Sequence, residues 1–186
     1  MDSIKAALNA SADLKRQVAD TLAEDIHNAI EQVRRSFESG GKLLLMGNGG
    51  SAADAQHLAA EFIGRYKLER NPVPAIALTV DASILTCIGN DYSFDDVFAR
   101  QVKGLARKED TVLAISTSGN SGNVIRAVEE AKKIGAATIG FLGKGGGKLK
   151  DMVDIPIVVP SADTARIQEV HITIGHILCE TLDREF

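Results

Sequence analysis

The chain has 186 residues, of which 45% are hydrophobic and 25% are charged, and its formal net charge is −4 at pH 7. This length and composition suit one domain with one substantial core. The acidic balance, without a basic stretch that carries interleaved aromatics, argues against nucleic acid as a ligand, because binding to a phosphate backbone requires clustered Lys and Arg.

The sequence carries no mark of a membrane or secreted protein. No apolar run reaches membrane-spanning length, and the first residues do not resemble a signal peptide. The two cysteines, Cys87 and Cys179, lie in apolar contexts and are expected to be core residues rather than a disulfide framework. We therefore expect a cytoplasmic protein.

Residues 3–38 are predicted to form one long helix or two shorter ones, because apolar residues recur every three or four positions before the Gly40-Gly41 stop. Such an apolar-striped helix is more than one sheet needs, so we expect it to pack against a second copy of the chain. Within a single domain, 1–186, we assign 1–39 to oligomerisation and 40–186 to an α/β core.

Five apolar runs alternate with helix-like segments in that core. The alternation predicts a parallel sheet in an α/β fold. The runs are continuously apolar rather than alternating, which indicates helices on both faces of the sheet. We therefore expect a three-layer sandwich, with strands at 42–46, 74–78, 111–115, 137–141 and 155–159.

The first strand leads into a glycine-rich loop, 47–51, and then into a good helix start. A dinucleotide-binding fingerprint fits this loop poorly, since a spaced third glycine and a later acidic residue are missing. The following helix carries His57 and Glu61 four residues apart, a spacing suited to two ligands of one metal. An ordinary hydrogen-bonded pair on a solvated face has the same spacing, so this pair alone does not identify a metal site.

The third strand leads into the run Ser116-Thr-Ser-Gly-Asn-Ser121 and then into another helix. Hydroxyls, a glycine and a helix start together predict a phosphate cradle. No lysine follows the glycine, which departs from the nucleotide-binding P-loop and favours a single phosphomonoester. A cluster of helix-capping residues is the alternative, although one capping residue would suffice for that purpose. Two loops at strand ends strengthen each other, because ligands of open α/β folds bind there.

The last predicted helix, from Thr164 to Arg184, contains Gln168, His171 and His176. Gln168 and His176 are separated by eight residues, about 12 Å of helix rise, so their spacing alone does not assign both to one site. Convergence of two long side chains, a kink, or a shared pocket wall would each explain them. We expect His171 to be structural and the glycine run 145–147 to be a plain mobile loop.

Four segments together resemble the phosphoheptose isomerases, a family of the sugar isomerase (SIS) fold. They are Gly47–Phe62, Gly89–Asp91, Ile115–Ser121, and Ala165–His171 with His176. The resemblance covers nearly the whole chain and implies a flavodoxin-like fold around a five-stranded parallel sheet. It implies conversion of sedoheptulose 7-phosphate to D-glycero-D-manno-heptose 7-phosphate, the first step toward ADP- or GDP-heptose for lipopolysaccharide or other surface glycans. It further implies a homotetramer.

The resemblance also implies one zinc ion per subunit, held by His57, Glu61, Gln168 and His176. Aldose–ketose isomerisation moves a proton between neighbouring carbons through an enediolate, so we assign Glu61 as the base and His176 as the acid, with zinc stabilising the enediolate oxygens. Metal ligation would weaken both groups as bases, so either substrate displaces them or the metal is partly structural. The predicted substrate contacts are Asn48, Gly49, Gly50, Ser51, Arg65, Asn90, Asp91, Ser116, Thr117, Ser118, Asn120, Ser121 and Gln168.

Alternatives remain for two of these contacts and for the function. Asp91 is equally well explained as a turn former, and Arg65 as a surface arginine. A non-enzymatic SIS adaptor that binds the bacterial replication initiator keeps the histidine matching His57 but lacks the groups matching Glu61 and His176. Sugar-phosphate-sensing domains of transcription regulators normally carry a DNA-binding part, and no helix-turn-helix fits ahead of the sheet. The enzyme is therefore the favoured interpretation.

Overall fold

The computed structural model describes residues 1–186 and shows five strands and six α-helices. The strands are β1 (Leu43–Gly47), β2 (Ala75–Ala77), β3 (Thr111–Ser116), β4 (Ala137–Leu142) and β5 (Ile155–Val158). The helices are α1 (Asp2–Glu38), α2 (Gly50–Ile63), α3 (Ala82–Asp91), α4 (Ala99–Leu105), α5 (Gly122–Ile134) and α6 (Thr164–Leu182). Each predicted strand agrees with the observed one to within one residue at either end.

All five strands are parallel and lie in the order β2-β1-β3-β4-β5. The chain enters at β1, adds β2 on one side, and then crosses back to add β3 on the other. The direction of winding therefore reverses between β1 and β3, and the gap between the loops after these two strands is where open α/β sheets bind ligands.

Helices cover both faces of the sheet, as the continuous apolar strands predict. Leu43 and Leu45 of β1 belong to a core formed with α1, α2 and α6. Leu44 and Met46 of the same strand point the other way, into a core formed with α3, α4 and α5. The three-layer α/β sandwich is thus confirmed. The helices that follow a strand, α2, α3, α5 and α6, begin at the carboxyl edge of the sheet.

The amino-terminal segment is one continuous helix, α1, rather than two. Its buried apolar residues begin at Leu14 and pack on α6 and the sheet, while residues 1–10 of the chain are exposed. Cys179 is buried as expected, but the prediction for Cys87 was wrong, because α3 turns this thiol toward solvent. None of the helices combines the length and the apolar character that crossing a membrane requires.

Candidate active site

The loops after β1 and β3 are joined by a pair of side-chain amides. Asn48 donates to Asn123 Oδ1, and Asn123 donates back to Asn48 Oδ1, each at 2.8 Å. Asn123 is buried in the first turn of α5. Sequence reasoning missed Asn123, although an amide in the first turn after a phosphate loop is a usable signal. The amide pair fixes the distance between the two loops at the reversal point of the sheet.

The loop after β3 holds its hydroxyls together instead of capping the next helix. Ser121 occupies the N-cap position of α5 but makes no capping hydrogen bond. Its Oγ lies 2.9 Å from Ser116 Oγ. The first backbone N–H groups of α5 are consequently left without a side-chain acceptor, which is the arrangement that binds an anion at a helix N-terminus.

The glycine run 145–147 is docked on this loop and is not the plain mobile loop expected. A side chain on Gly119 would place its Cβ 1.8 Å from the carbonyl oxygen of Gly146, so only glycine allows the approach. Asn120 braces the contact: its Oδ1 accepts from the Lys148 N–H at 3.0 Å, and its amide donates to the Ser118 carbonyl at 3.0 Å. Both ends of the Asn120 side chain are thereby engaged within the protein.

A second cluster lies between α2 and α6, which pack closely because Gly175 accommodates Leu58. His57 Nε2 lies 3.2 Å from Glu61 Oε1 and 3.3 Å from His176 Nε2. The His57 side chain is 48% exposed and that of Glu61 25%, so the cluster is open to a ligand. The ring of Tyr66 lies 5.7 Å from that of His176 and covers one side of it. The helical pair predicted from sequence forms, and His176 joins it.

Gln168 of α6 reaches into the same groove and contacts α2 about one helical turn before His57. Its amide nitrogen donates to both carboxylate oxygens of Asp54, at 3.2 and 3.4 Å, which leaves its oxygen free. Burial raises the pKa of Asp54, against the opposing effects of the Gln168 hydrogen bond and of His57 and His176. Sequence reasoning missed Asp54, although positions 54, 57 and 61 share one helix face.

The donors around His57 are of the kind that zinc prefers. No group of three or more His, Cys, Asp or Glu side chains is arranged to hold a metal as it stands. The two donor pairs that share His57 are nevertheless 3.2 and 3.3 Å apart, and neighbouring ligands of a tetrahedral zinc are separated by about 3.3 Å. Two imidazole nitrogens at this distance need either a shared proton or a shared cation. The residues therefore fit zinc, with the free Gln168 oxygen available beside them.

Comparisons with known proteins agree with this geometry. The SIS domain family matches residues 8–143. A phosphoheptose isomerase of Nitratiruptor sp. is 66% identical over 145 residues, which cover 78% of each chain. One from Geobacter sp. (strain M21) is 52% identical over 185 residues, covering 100% of this chain and 96% of the other. The solved structure of the Neisseria gonorrhoeae phosphoheptose isomerase superposes with a TM-score of 0.93 at 43% identity, covering 98% of both chains.

The chain belongs to the phosphoheptose isomerase family. The fold expected from the resemblance is confirmed, and the adaptor alternative is not favoured.

Three of the substrate contacts predicted for a phosphoheptose isomerase lie outside both clusters in the single chain. Arg65 is exposed and pairs with Glu69 at 3.5 Å. Asn90 donates to Asp91 at 2.8 Å at the end of α3, where Asp91 also faces the Cys87 thiol. The hydrogen bonds of these residues are local, whereas Asn48, Ser51 and the loop after β3 lie at the reversal point of the sheet.

Proposed function

We propose that this chain converts sedoheptulose 7-phosphate to D-glycero-D-manno-heptose 7-phosphate through an enediolate. The observation that carries the proposal is the His57–Glu61–His176 cluster, with separations of 3.2 and 3.3 Å. The same sheet carries the loop after β3, which leads into a helix start without a side-chain cap. An aldose–ketose isomerase needs these two features together: a grip on a phosphate and an acid–base pair.

The phosphate binds at the start of α5 in this proposal. The hydroxyls of Ser116, Thr117, Ser118 and Ser121 and the free N–H groups of the first turn supply its hydrogen bonds. The glycine-rich loop contributes Asn48, Gly49, Gly50 and Ser51 to the phosphate or to the sugar hydroxyls. The charge of the phosphate is met by the helix dipole rather than by a lysine.

Glu61 acts as the base. Its carboxylate removes a proton from the carbon beside the ketone, giving the enediolate, and returns it to the neighbouring carbon, giving the aldehyde. The imidazole of His176 moves the accompanying proton between the two oxygens. Tyr66, stacked on His176, and His57, bonded to Glu61, limit the orientations that the two groups can adopt.

One zinc ion per subunit is part of the proposal; His57, Glu61, Gln168 and His176 would hold it in the resting site, before Glu61 and His176 act as base and acid. When bound, it supplies a positive charge that stabilises negative charge on the substrate oxygens. Asp54 holds the Gln168 amide nitrogen, so that the oxygen of the same amide is the atom presented to the ion.

A homotetramer is also proposed, with substrate sites near the subunit boundaries. Support comes from Arg65, Asn90 and Asp91, whose hydrogen bonds lie apart from both clusters, and from the exposed apolar residues Ile4 and Leu8 of α1. The free cysteines agree with a reducing compartment, and we propose that the enzyme is cytoplasmic and supplies heptose for lipopolysaccharide or another surface glycan.

The test is an NMR time course on sedoheptulose 7-phosphate in heavy water, with zinc added or chelated. Wild-type protein should form the aldoheptose phosphate and incorporate deuterium from solvent. The Glu61→Gln variant should lose turnover by about a thousandfold, while a Glu129→Gln variant, altered at an exposed carboxylate of α5, should match the wild type. Loss of turnover on chelation would make the metal essential, and saturable binding without turnover would favour the adaptor instead.

A further inference from the structure

A buried ion pair joins the carboxyl ends of the two helices that carry the acid–base pair. Arg70 Nε donates to Asp183 Oδ1 at 2.8 Å, and the two side chains are only 4% and 1% exposed. Asp183 directly follows α6, two helical turns beyond His176. Arg70 lies in the segment that follows α2.

The guanidinium of Arg70 binds the last turn of α2. It donates at 2.9 Å to the carbonyl oxygens of Glu61 and Phe62. These carbonyls belong to the group that has no partner within a helix, and α2 has no basic residue of its own in its last turn. Arg70 therefore fixes the backbone of the residue that we assign as the base.

Asp183 also binds the segment that follows α2. Its Oδ2 accepts from the backbone N–H groups of Lys67 and Leu68, at 2.8 and 2.6 Å. Burial works to raise the pKa of Asp183, but hydrogen bonds from Leu68, Lys67 and Arg70 outweigh it and hold this pKa below its ordinary value. The carboxylate is thus ionised at neutral pH, and it anchors the segment whose Tyr66 ring packs on His176.

We propose that the Arg70–Asp183 ion pair is a positioning device that sets Glu61 and His176 in register across the α2–α6 groove. The inference rests on the proposed function and adds two residues to it, neither of which contacts the substrate. Displacing a catalytic group by about 1 Å can lower turnover by about a hundredfold, so a pair that sets the spacing of two helices acts on kcat rather than on substrate affinity.

The chain offers a matched control at the start of the neighbouring strands β1 and β3. Lys42 Nζ pairs with Asp110 Oδ2 at 2.6 Å, and the carboxylate is again only 1% exposed. Asp110 also accepts from two backbone N–H groups, those of Lys42 and Arg107, just as Asp183 does. Replacing the cation by methionine therefore leaves the same kind of buried carboxylate in both places.

The experiment compares Arg70→Met, Arg70→Lys and Lys42→Met with the wild type in the same turnover assay. We expect kcat to fall by about ten- to a hundredfold in Arg70→Met, with KM within about twofold of the wild type. Lys42→Met should lose comparable thermal stability and keep its kcat. Arg70→Lys keeps the charge but cannot reach both carbonyls and Asp183 at once, so its kcat should also fall.

A wild-type kcat in Arg70→Lys, or equal losses of kcat in Arg70→Met and Lys42→Met, would overturn the inference. A readout independent of turnover separates it from the proposed function. The imidazole NMR resonances of His57 and His176 should shift in the soluble Arg70 variants and stay in place in Lys42→Met. If the wild type shows no turnover, the proposed function fails, while these resonances still decide whether the ion pair positions the two helices.

Discussion

The helices that follow β1 and β3, two of the three inner strands, begin differently from those that follow the two edge strands. After the edge strands, Asp81 caps α3 by accepting from the Ile84 N–H, and Asp163 caps α6 by accepting from two N–H groups. After the inner strands β1 and β3, α2 and α5 begin at Gly49 and Ser121 with no side-chain cap. All four starts lie at the same edge of one sheet.

The contrast shows that, among these helices, the starts without a side-chain cap are those beside the reversal point of the sheet. A carboxylate cap stabilises a helix start but fills the place where an anion would bind. Ser121 is itself a good capping residue, yet its hydroxyl bonds Ser116 and leaves the helix end free. Of these four helices, only the two beside the reversal point of the sheet keep their first N–H groups free of a side-chain cap.

The strongest way to break this contrast is to give α5 the cap that α3 has. In Ser121→Asp, the carboxylate should occupy the helix start and repel the substrate phosphate, raising KM by about a hundredfold or more. Steady-state kinetics and calorimetric titration with inorganic phosphate measure the effect. Ser83→Asp, which adds the same charge to the first turn of α3, is the control and should leave KM unchanged. Equal KM values in both variants would mean that phosphate does not bind at α5.

The contribution of the Asp183 carboxylate to the stability of the fold should decrease in acid. Because the folded-state pKa of Asp183 is lowered, its ionised form adds stability that is complete above the unfolded value of about 3.9 and is lost as pH falls toward the folded pKa. Asp183→Asn should be less stable than the wild type at pH 7. Its melting temperature should fall less steeply than that of the wild type between about pH 5 and pH 3, because the variant has no carboxylate to protonate at this position. Parallel melting curves across this range would contradict the assignment.

At the start of α2, Gly50 lies against the Gln168 side chain, and the importance of this contact can be tested by adding a methyl group. A Cβ on Gly50 would lie 2.4 Å from Gln168 Nε2 and 2.6 Å from its Oε1. Gly50→Ala should displace this amide and lower kcat/KM by about tenfold. Gly104→Ala in α4, where nothing lies within 4 Å of the added methyl, is the matched control: it should gain up to about 1 kcal/mol of stability and keep full activity. Full activity in Gly50→Ala would remove Gln168 from the site.

The smallest effect is expected at the capped end of α3. Asp81→Ala removes the hydrogen bond to the Ile84 N–H and should lower the free energy of unfolding by about 1 kcal/mol, a loss of about 2–4 °C in melting temperature for a chain of this size. Thermal denaturation measures the loss, and kcat and KM should stay at wild-type values. A raised KM would place the capped start of α3, and not only its last residues Asn90 and Asp91, in the substrate site, and it would weaken the contrast between edge and inner strands.

The strands could be predicted closely because both faces of the sheet are covered, so each strand is a continuous apolar run bounded by polar loops. The pairing of His57 with Glu61 followed from helical spacing alone. The roles of Gln168 and His176 did not, because α6 places them against successive turns of α2, next to Asp54 and His57 respectively. Their eight-residue separation, about 12 Å of rise on α6, is bridged by the two long side chains, which reach positions of α2 only three residues apart.

Other features depend on packing that no local pattern contains. Asp54 looks like a surface carboxylate in a small-residue helix until α6 buries it. The carboxylate partner of Arg70, Asp183, directly follows α6 and lies more than a hundred positions away along the chain. Cys87 has an apolar sequence context, yet α3 buries Ile88 and leaves the neighbouring Cys87 side chain exposed.

The reciprocal amides of Asn48 and Asn123 have a consequence for how the molecule responds to acidity. Amides do not gain or lose protons in the range where imidazoles do. The link between the two loops therefore carries no charge, and its hydrogen bonds do not depend on pH in this range.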